Sequence, residues 1–452
     1  MPAQTYAPSL DSLVHPPSKQ HLDATIESAV SLLKRRQIRG AEPCALATAH
    51  VLAQVVATKS KWADVDQLLD RVYQTGRKLV DAQPQELVIG NIVRRVLGLI
   101  RDEAEEDREG LESMAGSVPD LRQTPSVTTP TTSFTSSFTT SSTTSTPGRP
   151  VRQASAMASG PYQSMFSLLS AAEPVSVSAS SNDVSSAGSV SGASTPVQAS
   201  HPTFALLNVP SSAATSSLRD EILDGIEEIK DEIGQADDQI AGFAEAQVRP
   251  GDYVMVYEPS RTVEKFLIKA ARRKYTLLLV TAGAPNPGNK YASLLKKLAA
   301  AKCTVIQISG GATAPYMSRV SRVVLDARAI ANDGGILANV GAVRLARAAK
   351  QTGTLVLALG GVYRLSPEAA FASHPEAFVE WGEPAPALFS DGSLVTDAAG
   401  GNEIEVETAV TEYVPAKLID VYVTNLGPHS KDYLESVIAD HYKTDDLDLY
   451  RL

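Results

Sequence analysis

Asp326, Arg328, Asn332 and Asp333 follow a short apolar run, Val323-Val324-Leu325, and run into the pair Gly334-Gly335. Carboxylates beside a guanidinium could shuttle a proton and hold an anion, provided one crevice collects them. The apolar run reads as a strand buried on both faces. Loops that follow such strands open onto the crevice where α/β sheets bind ligands. These residues are therefore the first candidates for a catalytic site.

A nucleotide site is not written here. The chain has no GxxxxGK[ST], and no GxGxxG lies between a strand and a helix. Gly310-Gly311, Gly334-Gly335 and Gly360-Gly361 are explained by turns that need a positive φ. A phosphate could still sit at a helix N-terminus after such a loop.

The elements that would position these residues form a unit of strand, loop, helix and strand. Asn339 is placed to cap a helix with Val343, Ala346 and Ala349 on one face, and Gly353 stops it before the strand Leu355-Val356-Leu357. This implies a parallel pair with a right-handed crossover. The same alternation extends from about 248 to 452, with strands over 253–257, 276–281, 304–308 and 419–424. Helices are expected over 260–273, 290–301 and 430–442, which makes an α/β domain with a mostly parallel sheet.

Upstream the period is helical. Segments over 20–39, 42–58, 64–80 and 85–108 each carry an apolar stripe and are joined by short links, so 20–112 reads as a helical domain. Arg94-Arg95 and the charges from 102 to 109 read as a solvated face. Residues 1–19 hold four prolines and no periodicity, and read as a disordered tail. From 124 to 147, 18 of 24 residues are Ser or Thr, too few of them apolar to offset the entropy of ordering. The whole of 113–216 reads as a disordered linker, with one apolar island at Met165, Phe166, Leu168 and Leu169. A long helix over 217–247, capped at Ser217, then bridges the two domains. Its outward face carries Glu221, Asp224 and Glu228, spaced three and four apart: an acidic stripe, solubilising or facing a basic partner.

Composition excludes several functions. The 452 residues carry a net charge of −10, which argues against nucleic acid as a direct partner. No run of about 18 apolar residues exists to span a membrane, and the first residues lack an apolar signal core. Cys44 and Cys303 are the two cysteines, and the seven histidines show no paired metal spacing. No cofactor, metal or disulfide is expected, and the compartment expected is the cytosol.

Ser260-Arg-Thr-Val-Glu-x-Phe-Leu, Met317-Ser-Arg-Val-x-x-Val-Val, Ala331-Asn-Asp-Gly-Gly and Gly341-Ala-x-x-Leu-Ala-x-Ala-Ala-Lys together resemble the regulatory subunits of eukaryotic translation initiation factor 2B. Gly90-Asn-Ile-Val-Arg-Arg-Val-Leu, Tyr363-Arg-Leu-Ser-Pro and Tyr413-Val-Pro-x-x-Leu-Ile narrow the resemblance to the beta branch of that family. It covers 20–112 and 217–452. It implies a helical domain followed by a Rossmann-like domain, and a non-catalytic regulatory subunit in a dimer of pentamers. The implied partners are the alpha, gamma, delta and epsilon subunits of that factor and the alpha subunit of initiation factor 2, whose phosphorylation the regulatory core senses. GDP/GTP exchange would reside in epsilon. Glu221, Asp224 and Glu228 then fall in a segment that lies against initiation factor 2 alpha in the family.

The same fold is similar to that of isomerases acting on methylthioribose 1-phosphate and ribose 1,5-bisphosphate, the enzyme alternative. They use a cysteine after the first strand and an aspartate in a Gly-Ala-Asp triplet. Here Glu258 takes the cysteine position and the triplet becomes Asp326-Ala327-Arg328. An arginine exchanges no proton near neutral pH, so the acid–base pair is lost.

Overall fold

The computed structural model describes residues 21–58, 64–115, 212–281, 291–382 and 407–443, with Leu10, Leu13, Val14, Trp62 and Leu449. All of them belong to one compact unit formed by Met1–Val118 and Val209–Leu452. The linker, its apolar island at 165–169 and the loop at 282–289 lie outside the described residues.

A helical region comes first: α1 (Leu22–Lys34), α2 (Ala41–Ala57), α3 (Val65–Ala82) and α4 (Leu87–Ala115). Each buries an apolar face in one shared core, exemplified by Leu33, Leu52, Val72 and Ile92. The side chain of Asp64 accepts the amide of Val65 and starts α3. Leu13, placed by its sequence in a structureless tail, is 4% exposed and packs into this core. Leu10, Leu13 and Val14 stand at i, i+3 and i+4, but a single such turn among prolines is too short to read as a helical period.

The long helix α5 (Ser212–Gly242) begins five residues before Ser217, so that serine is not its cap. Its hydroxyl instead donates to Glu221 at 3.1 Å. Ile222, Ile226, Ile229 and Ile233 fill the helical core, whereas Ile240 packs under the sheet beyond. One helix thereby spans both cores, continued by the short α6 (Ala244–Gln247).

The α/β region then runs β1 (Tyr253–Tyr257), α7 (Arg261–Ala270), β2 (Thr276–Thr281), α8 (Ala292–Ala300), β3 (Thr304–Ser309), α9 (Thr313–Met317) and β4 (Arg322–Asp326). A hairpin follows, β5 (Ala329–Ala331) and β6 (Ile336–Asn339), then α10 (Ala342–Thr352), β7 (Leu355–Leu359), β8 (Leu365–Ser366) and α11 (Ala369–Ser373). The chain closes with β9 (Trp381–Gly382), β10 (Thr408–Ala409), β11 (Thr411–Val414), β12 (Val421–Thr424), β13 (Gly427–His429) and α12 (Lys431–His441).

The main sheet has the order β13-β12-β7-β4-β1-β2-β3. It is parallel apart from the edge strand β13. Period-two alternation divides its side chains between two cores. Met255, Val323, Leu325 and Val356 face one, and Val254, Val324, Leu357 and Leu359 the other. A smaller sheet, β11-β6-β5-β8, covers the exit of β4.

That hairpin corrects the reading of Asn339. It is the last residue of β6, and α10 is capped from a distance: Glu412 Oε1 accepts the amides of Gly341 at 2.8 Å and Val343 at 2.7 Å. A carboxylate fits the positive end of a helix better than an amide oxygen does. Gly341 itself has φ +108°, and a Cβ there would lie 2.6 Å from the Tyr257 ring. Only glycine suits both demands.

Candidate functional site

Strand order reverses between β1 and β4, so the crevice expected of this fold lies beyond their carboxyl ends. Glu258 follows β1 with φ +38°, and its amide donates to Val280 O. Asp326 ends β4, and Arg328 enters the hairpin, its amide held by Leu337 O at 2.8 Å.

The candidates do not converge. Asp326 turns inward to Arg364 Nη1 at 3.1 Å. Arg364 is buried and also reaches Ala327 O at 2.9 Å and Thr262 Oγ1 at 3.0 Å. Thr262 in turn donates to Asp237 Oδ1 of α5 at 2.7 Å. Burial works against charge on Arg364, yet Tyr363, Asp326 and Asp237 outweigh it and hold its pKa above the ordinary value. This network, one guanidinium held among two carboxylates and a threonine hydroxyl, is an internal brace and not an open acid–base site.

Arg328 points the other way. Its guanidinium lies 2.6 Å from Glu380 Oε2, and the other oxygen of Glu380 meets Arg36, from the turn after α1. The backbone of Glu380 is itself clamped: its amide donates to Thr411 Oγ1 at 2.8 Å, and its carbonyl accepts Val410 N at 2.7 Å. Buried Glu86, from the start of α4's approach, adds a second carboxylate. Burial raises the Glu86 carboxyl above its ordinary value; Arg328 and the Gly40 amide pull it back without cancelling the rise. Burial disfavours charge on Arg328 as well, but Glu86 and Glu380 more than compensate, so it stays cationic. A cleft of about 480 Å³ is left, lined by these groups with Arg39, Trp381 and Val410. An arginine already engaged by a carboxylate can brace this cleft, but it can neither take nor give a proton.

Asn332 and Asp333 sit at the hairpin tip, away from the cleft lining. Asp333 Oδ1 accepts the Gly335 amide at 2.8 Å and Oδ2 accepts Tyr413 Oη at 2.9 Å. That is a turn fastened to β11. Neither cysteine supplies a nucleophile, since both are buried and burial drives the Cys44 thiol well above its ordinary pKa. Among the described residues no cluster of His, Cys, Asp and Glu could hold a metal, and no helix is long and apolar enough to cross a membrane.

Sequence reasoning missed Glu380, Glu86, Arg36 and Arg364, which decide what the crevice is. Glu380 lies in an irregular stretch, and Glu86 sits between helices, where no period marks a buried side. Arg94 and Arg95 were expected on a solvated face and are not there. Arg94 is fully buried and meets Glu368 at 2.6 Å, and Arg95 meets Glu232 at 2.6 Å. The α/β region covers Arg94 and α5 meets Arg95, tertiary facts that local periodicity does not carry.

The acidic stripe is where its spacing puts it. Glu221, Asp224 and Glu228 are all exposed on α5. Glu221 also faces α4. Partial burial raises the carboxyl pKa of Glu103 and of Asp107, and the charge of Glu221 raises both further. The negative surface therefore spans two helices.

The model of the initiation factor 2 subunit family matches residues 37–430. The chain is 29% identical to "Translation initiation factor eIF2B subunit beta" of Schizosaccharomyces pombe, over 94% of this chain and 98% of that protein. It is similar to the crystal structure of eIF2B beta from Chaetomium thermophilum at 35% identity and a TM-score of 0.60, covering 98% of this chain and 97% of that one. A chain of the tetrameric eIF2B-beta2-delta2 complex from C. thermophilum matches at 35% identity and a TM-score of 0.59, over 96% and 98% of the two chains.

Proposed function

The chain belongs to the initiation factor 2 subunit family, and on that premise we propose that it is a non-catalytic regulatory subunit of the guanine nucleotide exchange complex for initiation factor 2. It works in the cytosol, assembled with the alpha, gamma, delta and epsilon subunits, and the exchange chemistry belongs to another subunit. The association named in the C. thermophilum beta–delta complex supports the assembly.

The observation that carries this reading is the state of the crevice. Asp326 is consumed by Arg364, and Arg328 by Glu380. With both groups committed to ion pairs, the work falls to surfaces. The stripe Glu221, Asp224 and Glu228 is the proposed contact with the alpha subunit of initiation factor 2. Phosphorylation of that subunit acts by binding two arrangements of the regulatory core unequally, since a ligand shifts an equilibrium only through such a difference.

The test is purification of the tagged full chain from its own cytosol at moderate salt, with mass measurement of the assembly and assay of GDP release from initiation factor 2. Co-purification of four further kinds of subunit with exchange activity is expected. A lone homo-oligomer that turns over a sugar phosphate overturns the reading.

A further inference from the structure

On the far side of the sheet from the hairpin, α7 and α8 lie together over the core that holds Val254, Leu277 and Leu279, with α5 beside α7. Where the three helices meet, a groove of about 490 Å³ opens to solvent. Its floor is apolar, Ala241 of α5 and Ile268 of α7. Its walls are cationic: Lys265 and Lys269 one turn apart on α7, Arg272 just after it, and Lys297 across on α8. Asp238 pairs with Lys265 at 2.9 Å and is the one acid among the described lining residues.

Among the described residues four cations here meet two carboxylates, Asp238 on Lys265 and Glu245 on Arg272, which leaves a positive excess on a chain of net charge −10. Like charges one helical turn apart repel, and this cluster keeps them side by side around a hollow. Negative groups brought into the hollow relieve that repulsion. The apolar floor adds a second requirement that a simple anion does not meet.

We infer that this groove receives an acidic segment of a partner protein, its carboxylates on Lys269, Arg272 and Lys297 and an apolar side chain between them on Ile268 and Ala241. A nucleic acid fits less well. Among the described residues no aromatic ring lines the groove for a base to stack on, and Glu245, 3.3 Å from Arg272, with Asp238 interrupts a continuous phosphate track. Opposite-charge complementarity of this kind sets the rate of encounter and the choice of partner. The inference is independent of the crevice and of the acidic stripe.

The test uses the full-length chain and a fluorescein-labelled octapeptide of alternating Glu and Leu, followed by fluorescence anisotropy. Binding is expected at low salt and falls as salt rises. The double variant K269E/K297E weakens it about tenfold or more, since exposed charges contribute up to about a factor of five each and reversal removes an attraction and adds a repulsion. The neutral pair K269Q/K297Q gives a smaller loss in the same direction, and covers the case in which charge reversal disturbs folding. K417E, the same charge change on an exposed lysine outside the groove, leaves binding unchanged. Three results overturn the inference: equal binding by K269E/K297E, equal weakening by K417E, or displacement of the peptide by inorganic phosphate or a single-stranded oligonucleotide at matched charge concentration.

Discussion

Arg94 of α4 and Glu368, just before α11, form a buried ion pair 2.6 Å long that joins the helical region to the α/β region. The Arg94 side chain is 0% exposed and that of Glu368 9%. Removing one partner strands a charge away from water. R94M is expected to lower stability by about 3–5 kcal/mol, and R94M/E368L to recover most of that loss, because the apolar pair leaves no orphan charge. Chemical unfolding of the three chains checks it; a cost below about 1 kcal/mol for R94M would show that water reaches Glu368.

The cap of α10 gives a second prediction with a built-in contrast. E412A removes the acceptor shared by the Gly341 and Val343 amides and is expected to cost about 1–2 kcal/mol. N339A, at the residue the local pattern selects, is expected to stay within about 0.5 kcal/mol. The opposite ranking in unfolding midpoints would restore a local cap.

That contrast also shows what sequence can and cannot carry here. The strands were legible because burial on both faces leaves uninterrupted apolar runs: Tyr253–Tyr257 and Thr276–Thr281 lie where their residues predict. Ser260 caps α7 through the amide of Val263, and Gly353 ends α10 with φ +70°, as their types imply. What failed was whatever depends on a distant partner. Glu412 caps a helix it follows by some 70 positions, and the hairpin β5–β6 is too short to show an alternation. Arg94 lies on a charged face until the α/β region covers it. At the crevice, the type of Arg328 was enough to exclude proton exchange, but its partner Glu380 had no local signal.

Glu86 sets a pH dependence. Its folded pKa lies above the ordinary 4.5, chiefly through burial. Between those two values the folded state holds more protons than the unfolded state. Its contribution to stability is therefore lost as pH rises through that window and stays lost above it. E86Q, which removes the charge and keeps the shape, is expected to be more stable than the parent chain near neutral pH, with the gap closing as pH falls towards 4.5. Thermal unfolding across that range checks the sign; an E86Q chain less stable than the parent near neutral pH would mean that attraction to Arg328 outweighs burial.

The acidic stripe can be tested so that folding and function move in opposite directions. Glu221 raises the carboxyl pKa of Glu103 and Asp107, so its charge repels two neighbours on α4. E221Q is expected to leave stability unchanged or to raise it by about 0.2–0.5 kcal/mol, the scale of a like-charge pair on helices. E228K, on the exposed face of α5, is expected to stay within about 0.5 kcal/mol of the parent. In the assembled complex, both variants are expected to slow GDP release from limiting initiation factor 2, E228K by about threefold or more at low salt, because rim charges act mainly on association. A subunit that is at least as stable and yet slower can only have lost a contact. Exchange at the parental rate, with stability raised, would make the stripe a solvated face and remove it from the interface.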